Sequence, residues 1–583
     1  MKTTIIKTIL FILLILFSAG CNKNQLDLNP LSEGSSESWY SNDTEIRMSL
    51  DYLYTIRFWN PSQDPSYFDN GGWLDYWADD MANRNRLSPI TGGTINSESD
   101  FVVNWWKRYY NCIAAANQLI ENLEKNKDNF EVTKLNRYIA EARFVRARMY
   151  SKLIFYWGDV PYYEKTLNIE EAFSMGRINK EEILQSIYND FDFAISNLPV
   201  SHSGRQYATK GAALAMKAQI ALWMSDWTVA RDAAKECMDL GIYDLYPNFS
   251  ELFLSKTKST KEAIFSIPRS VELGSWADGY SLRPENVRHI TPRSVGGAMY
   301  VWPSWDLFCS FLCRDGLPID ESPLFNPRKP FDNRDPRLNA TIVEFGTEHG
   351  GIILQPHPDS LTTMNILTNQ RITNRDSRGV DQYASWNALG WKKGYDSDWY
   401  DDFNTAPEFM VIRYADLLLI YAEAKIELNE IDQTTLDAMN KVRARAYGVS
   451  YTETSSYPKI TTTIQSELRQ ILRIERRMEF AFEGTRHTDI IRWRLAEKVL
   501  NIPNYGMIDP PELRAKIIEP GLWFFPEIPP IDEDGVPDFT HMYNSGYCKL
   551  MALRYFDKTK HYLWPIPSKE ILINENIKQN PGY

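Results

Sequence analysis

Histidine and cysteine are scarce in this chain of 583 residues, which holds 7 of the first and 6 of the second. No two of the histidines, at 202, 289, 349, 357, 487, 541 and 561, stand three to five residues apart, so no helical zinc site is evident and no metal or cofactor is expected. The nucleophile elbow Gly-x-Ser-x-Gly, the phosphate-cradling Walker loop and the dinucleotide motif Gly-x-Gly-x-x-Gly are all missing. These gaps remove the common enzyme signatures, although the two acids of a glycosidase can lie far apart in sequence. Positive charge is also lacking: 64 Lys and Arg face 76 Asp and Glu, a net charge of -12, which speaks against a nucleic-acid partner.

Long apolar runs are nearly absent as well. The one strong run, Ile9 to Phe17, follows Lys2 and Lys7 and leads into Ser18-Ala19-Gly20-Cys21. It is short for a membrane span of about 20 residues and reads as a secretory signal with small residues before its cleavage point. A cysteine directly after that point resembles a bacterial lipobox, which implies cleavage before Cys21 and lipidation of Cys21. An ordinary signal peptide with a chance Cys21, or an uncleaved anchor, are the alternatives. The remaining Cys112, Cys237, Cys309, Cys313 and Cys548 are odd in number and expected as buried thiols. Cys309 and Cys313 share an expected helical face, which suits a disulfide poorly.

What is abundant is helical periodicity and aromatic rings. Residues 1–20 form the signal and 21–42 a polar tether. Residues 43–247 then read as the first helical part. Tyr138, Ala142, Val145, Met149, Leu153 and Tyr156 form one stripe that stops at Gly158 and Pro161. Asn179 followed by Glu182 suggests a capping box, and alanine-rich and apolar helices follow from about Thr209 to Met224 and from Trp227 to Leu240. Paired helices of medium length with small contact residues suggest a mainly α, tetratricopeptide-like helical-repeat scaffold. Residues 248–404 are a loop-rich insertion with short strands, Ala263 to Ile267 among them. Helices resume over 405–500, from Ile412 onward, and 501–583 form an irregular C-terminal part.

Ordered motifs lie along this frame: Glu141 to Tyr150 running into Tyr156-Trp157-Gly158-Asp159-Val160-Pro161; Arg413-Tyr414-Ala415-Asp416-Leu417-Leu418-Leu419; Glu475-Arg476-Arg477-Met478-Glu479-Phe480 with Phe482-Glu483-Gly484; and Leu563-Trp564-Pro565-Ile566-Pro567. With Cys21 they resemble the SusD/RagB family of outer-membrane nutrient-binding lipoproteins. The resemblance implies a SusD-like helical scaffold, a place on the outer face of the outer membrane, and a TonB-dependent SusC-like transporter as partner. It also implies a nutrient ligand, commonly an oligosaccharide, bound without cleavage.

Two constellations carry chemistry. Glu475, Glu479 and Glu483 line one helical face, but nearby arginines would keep all three ionised, which removes the protonated acid that a glycosidase needs. Aromatics with polar neighbours gather in loops: Trp73, Tyr76 and Trp77 beside Asp80, Asn83 and Arg84; Trp276, Tyr300, Trp302 and Trp305; and Trp386. A sugar has a face of C–H groups for a flat ring and an edge of hydroxyls for polar side chains, so these residues are the expected ligand contacts. The competing reading of any one tryptophan is an ordinary core residue. The competing functions are a lipid-anchored glycoside hydrolase and a structural transporter lid that binds no ligand itself.

Overall fold

The computed structural model describes residue 40 and residues 42–59, 74–84, 86–202, 207–270, 276–277, 280–281, 285–396 and 407–583. Cys21 and Trp73 lie outside the described residues.

Helices dominate. After α1 (Asp43–Leu53), α2 (Asp100–Lys125) packs on α3 (Val132–Trp157), α3 on α4 (Lys180–Asn197), α4 on α5 (Lys210–Trp223), and α5 on α6 (Trp227–Asp239). The chain then leaves the stack and comes back as α7 (Tyr414–Glu427), which packs directly on α6 and carries α8 (Gln433–Ala446) and α9 (Gln465–Phe480). Each helix therefore buries a stripe against its neighbours in a stacked arrangement, the architecture of a tetratricopeptide-like scaffold.

The stripe on α3 shows why. Ala142, Val145, Met149, Leu153 and Tyr156 are all buried on the scaffold side. The helix ends where Gly158 takes φ 72° and gives its N–H to Ile154 O, a conformation that glycine adopts without a Cβ penalty. On α5, Ala212, Ala213, Ala215, Ala218 and Ala221 are fully buried, so neighbouring backbones approach closely. A Cβ on Gly211 would lie 2.1 Å from the Tyr243 hydroxyl.

Three local expectations need correction. Asn179 does cap α4, but it accepts from the Glu181 N–H at 2.9 Å, and Asp159 rather than Glu182 takes up a second free amide, that of Lys180, at 3.0 Å. Ile412 is not helical: a strand from Phe409 to Arg413 pairs antiparallel with Ala263–Ile267, placing Ile412 opposite Phe265, and the helix begins at Tyr414. An apolar residue at 412 fits either period, and the partner strand decides. The helix Trp305–Ser310 ends before Cys313, whose residue instead bridges to Arg334, so the two cysteines do not share a helical face. Cys112, Cys237, Cys309, Cys313 and Cys548 are buried free thiols.

The largest core fills the helical stack, and a second one forms around Trp305, Phe308, Phe524, Phe525 and Phe539. This second core joins the segment that follows Trp305 to the irregular C-terminal part, so neither hangs loosely from the scaffold. Among the described residues no helix is long and apolar enough to cross a membrane.

Candidate functional site

The motif glutamates lie at the centre of a sealed ionic network. Arg337 bridges Asp335, Glu475 and Glu479; Arg413 bridges Glu262, Glu479 and Glu483; Arg445 joins Glu262 to Glu479; Arg443 holds Glu475; and Lys393 holds Glu483. Burial alone would raise the Glu479 carboxyl, but Arg445, Arg413 and Arg337 outweigh it and hold it at about 2. Burial likewise opposes ionisation of Glu483, yet Arg413 and Lys393 keep its carboxyl below the usual range. Two carboxylates held ionised offer no proton to a leaving group. Among the described residues no three His, Cys, Asp or Glu side chains come together to hold a metal ion.

The loop aromatics divide into interior and surface groups. Trp77 is 1% exposed and packs against Phe101, Trp105 and Trp564. Trp302 is 0% exposed with its indole N–H on Met299 O at 2.7 Å; Trp305 is 2% exposed with its N–H on Asn387 O at 3.0 Å. These three rings have no face open to a ligand, which corrects their expected role. Indole has the largest apolar area of any side chain, and here burial claims it. Asp80 is buried too, paired with Arg477 beside Asp79, so its carboxylate is structural. Tyr76 and Asn83 are buried as well, Tyr76 in a small cluster with Met81, Val287 and Trp391. Trp276 lies in the short ladder Trp276–Ala277, and only its backbone is described.

What remains forms one surface. Met81 and Ala82 pair antiparallel with Pro303 and Trp302, which brings the first two aromatic loops together and sets Arg84 near Tyr300. The Arg84 guanidinium stands 5.6 Å from the centre of the half-buried Tyr300 ring and 4.7 Å from that of Tyr383, which is 48% exposed. Arg84 also donates to Tyr383 O at 3.3 Å, and Arg86 donates to the Tyr300 hydroxyl at 3.1 Å. Arg84 sits at φ 38°, in the left-handed region that side chains seldom occupy. Three residues past Tyr383 stands the half-buried Trp386, with Arg378 at 5.1 Å and Lys549 at 4.6 Å over its ring. Such cation–ring contacts hold aromatic faces at a fixed angle.

Tyr383, Arg86, Arg293, Arg375 and Arg378 were not among the expected contacts. Arg293 places its charge 5.5 Å from the Tyr383 ring and, with Arg375, donates to Asp381 Oδ2 at 3.2 to 3.3 Å. The backbone N–H of Tyr383 donates to Asp381 Oδ1 at 2.8 Å. Burial would raise the Asp381 carboxyl, but that N–H, Arg293 and Arg375 outweigh it and lower its pKa. Beside Arg375 opens a groove of about 620 Å³ lined by Ser294, Val295, Leu367, Thr368 and Ile372. Its lining is mixed apolar and polar, and Arg375, which shares Asp381 with Arg293, connects it to the aromatic face.

Comparison with known proteins agrees with the helical fold described above. The SusD family matches residues 261–583, and a second family, described as starch-binding and associating with the outer membrane, matches residues 61–222. SusD-like protein P25 of Formosa agariphila is 24% identical over 531 residues, which is 87% of this chain and 93% of that protein. SusD-like protein P2 of the same organism is 24% identical over 587 residues, 99% of each. A SusD-like carbohydrate binding protein of Bacteroides fragilis, solved as a crystal structure, has a TM-score of 0.74 and 27% identity, covering 92% of this chain and 99% of that one.

Proposed function

This chain belongs to the SusD family, and on that footing we propose that it is a non-catalytic surface lipoprotein that captures an oligosaccharide and hands it to a TonB-dependent SusC-like transporter. One observation carries the capture role: Tyr300 and Tyr383 meet around the Arg84 guanidinium, with Tyr383 48% exposed, and the half-buried Trp386 follows three residues on with Arg378 and Lys549 over its ring. Rings held in this way suit the C–H faces of pyranoses, and the donors suit their hydroxyls. The carbohydrate binding named for the Bacteroides fragilis relative supports the same ligand class.

Catalysis is disfavoured because Glu475, Glu479 and Glu483 are ion-paired within the network; the helix ends at Phe480, so Glu483 does not share the helical face expected of all three. Lipidation at Cys21 would hold the protein at the outer membrane, and a tether over 21–42 would give it reach. Capture beside a pore does not demand tight binding, since a tethered ligand has a high effective concentration at its next site.

The test is a titration of the purified chain with a panel of oligosaccharides, following tryptophan fluorescence and analysing each mixture for cleavage products. Saturable binding with intact ligand is expected. Release of shorter sugars would replace capture by hydrolysis. Absence of binding across the panel would leave a transporter lid. Co-purification of a β-barrel transporter from outer membranes tests the partner separately, and recovery of the chain alone would remove that partner.

A further inference from the structure

The chain carries a net charge of -12, yet the face around Tyr383 collects positive charge. Arg84, Arg86, Arg293 and Arg375 all bear on it, and Asp381 is the one carboxylate that Arg293 and Arg375 share. That carboxylate is fully used. Its Oδ2 accepts from both guanidiniums and its Oδ1 from the Tyr383 amide. Asp376, nearby, is buried and turned inward. Its oxygens accept the Arg293 and Ser294 amides and the Ser294 hydroxyl, so they too are taken up by the protein's own donors.

Among the described residues, Arg84 contacts two ring faces and one backbone carbonyl, its Nε is buried without a hydrogen-bond partner, and no carboxylate lies within ion-pair distance of it. Burial, and after it the charges of Arg293 and Arg86, lower its pKa. A folded protein seldom leaves like charges this close without an opposite charge to meet them.

We propose that the ligand of this face is an acidic glycan, an oligosaccharide bearing carboxylates or sulfates that are met by Arg84 and Arg375 while its sugar rings lie on Tyr300 and Tyr383. The inference rests on the glycan-capture reading above and sharpens it to one chemical class. Guanidinium suits the task because its planar fork matches two oxygens of a carboxylate or sulfate at once. The groove beside Arg375, lined by the half-exposed Leu367 and by Thr368, has room for neighbouring residues of the chain of sugars.

The experiment is a set of titrations of the full chain at low and high salt with four probes. These are a uronic-acid oligosaccharide, a sulfated oligosaccharide, a neutral gluco-oligosaccharide and a short single-stranded oligonucleotide. One or both acidic sugars should bind at least about tenfold more tightly than the neutral one, and raising the salt should weaken that binding. Which acidic sugar wins distinguishes carboxylate from sulfate. The double variant Arg84→Gln with Arg375→Gln should lose that preference, with its thermal midpoint unchanged. Arg375→Lys should keep the salt dependence and lose part of the affinity. Equal binding of neutral and acidic sugars would overturn this inference and leave capture intact. Absence of binding to all three sugars would overturn both. Equal affinity for the oligonucleotide would show a general polyanion surface and overturn the glycan assignment.

Discussion

Two clusters of arginine occupy this molecule, and they differ in every respect that matters for function. In the network around Glu479, five cations, Arg337, Lys393, Arg413, Arg443 and Arg445, meet five carboxylates, Glu262, Asp335, Glu475, Glu479 and Glu483, all of them buried except the partly accessible Glu483. On the Tyr383 face, Arg293 and Arg375 share the carboxylate of Asp381 while Arg84 lies against the rings of Tyr300 and Tyr383, the latter 48% exposed. A motif rich in Glu and Arg is therefore no sign of a reaction centre here. Charge balance together with burial marks the scaffold, while charge excess beside exposed rings marks the binding surface.

The largest effect should come from unbalancing the buried cluster. Arg413→Met strips a partner from Glu262, Glu479 and Glu483 together, and a cost of roughly 3–5 kcal/mol is expected in denaturant unfolding. Wild-type stability after that change would mean that the network is dispensable and the contrast false. Trp305→Ala empties a site walled by Phe524, Phe525 and Phe539; about 3–5 kcal/mol should again be lost. Ligand affinity of the protein that remains folded should hold, because the ring faces the core.

A pH-dependent effect belongs to Asp75, whose burial and the neighbouring charge of Asp80 push its carboxyl up to about 8, against the Gly484 amide that it accepts. In the unfolded chain the same group titrates near ~4. The folded state therefore holds a proton that the unfolded state releases, so this contribution is intact below about pH 4 and is lost as the pH rises towards about 8. Asp75→Asn should flatten that part of the stability profile, measured as unfolding midpoint against pH. An unchanged slope would show that Asp75 is ionised in the fold. Smallest in stability is Tyr383→Ala, expected to shift unfolding by no more than about 0.5 kcal/mol while costing roughly 1–2 kcal/mol of ligand affinity.

The same contrast explains how much could be read from the sequence. The helices were legible because stripes such as Ala142, Val145, Met149 and Leu153 repeat at helical spacing and are buried together. The strand at Ile412 was not, since its partner Phe265 lies far off in the chain. The aromatic loops did meet, but with their tryptophans reversed: Trp77, Trp302 and Trp305 went inside, where their area stabilises most, and Tyr300 and Trp386 stayed near the surface. Tyr383 escaped notice because its link to Arg84 spans 299 positions. The mixture of Arg375, Arg378, Asp381 and Tyr383 within one loop was the available signal, a run of charge and aromatic character with no helical or strand period.

One measurement bears most directly on the division between scaffold and surface. The best ligand from the glycan panel would be titrated calorimetrically into the wild-type chain and into the double variant Tyr383→Ala with Trp386→Ala, with the thermal midpoint of each recorded. If capture takes place on this face, the affinity falls by at least about tenfold while the midpoint falls by less than it does for Trp305→Ala. Unchanged affinity in the double variant would contradict it and move the site elsewhere on the molecule.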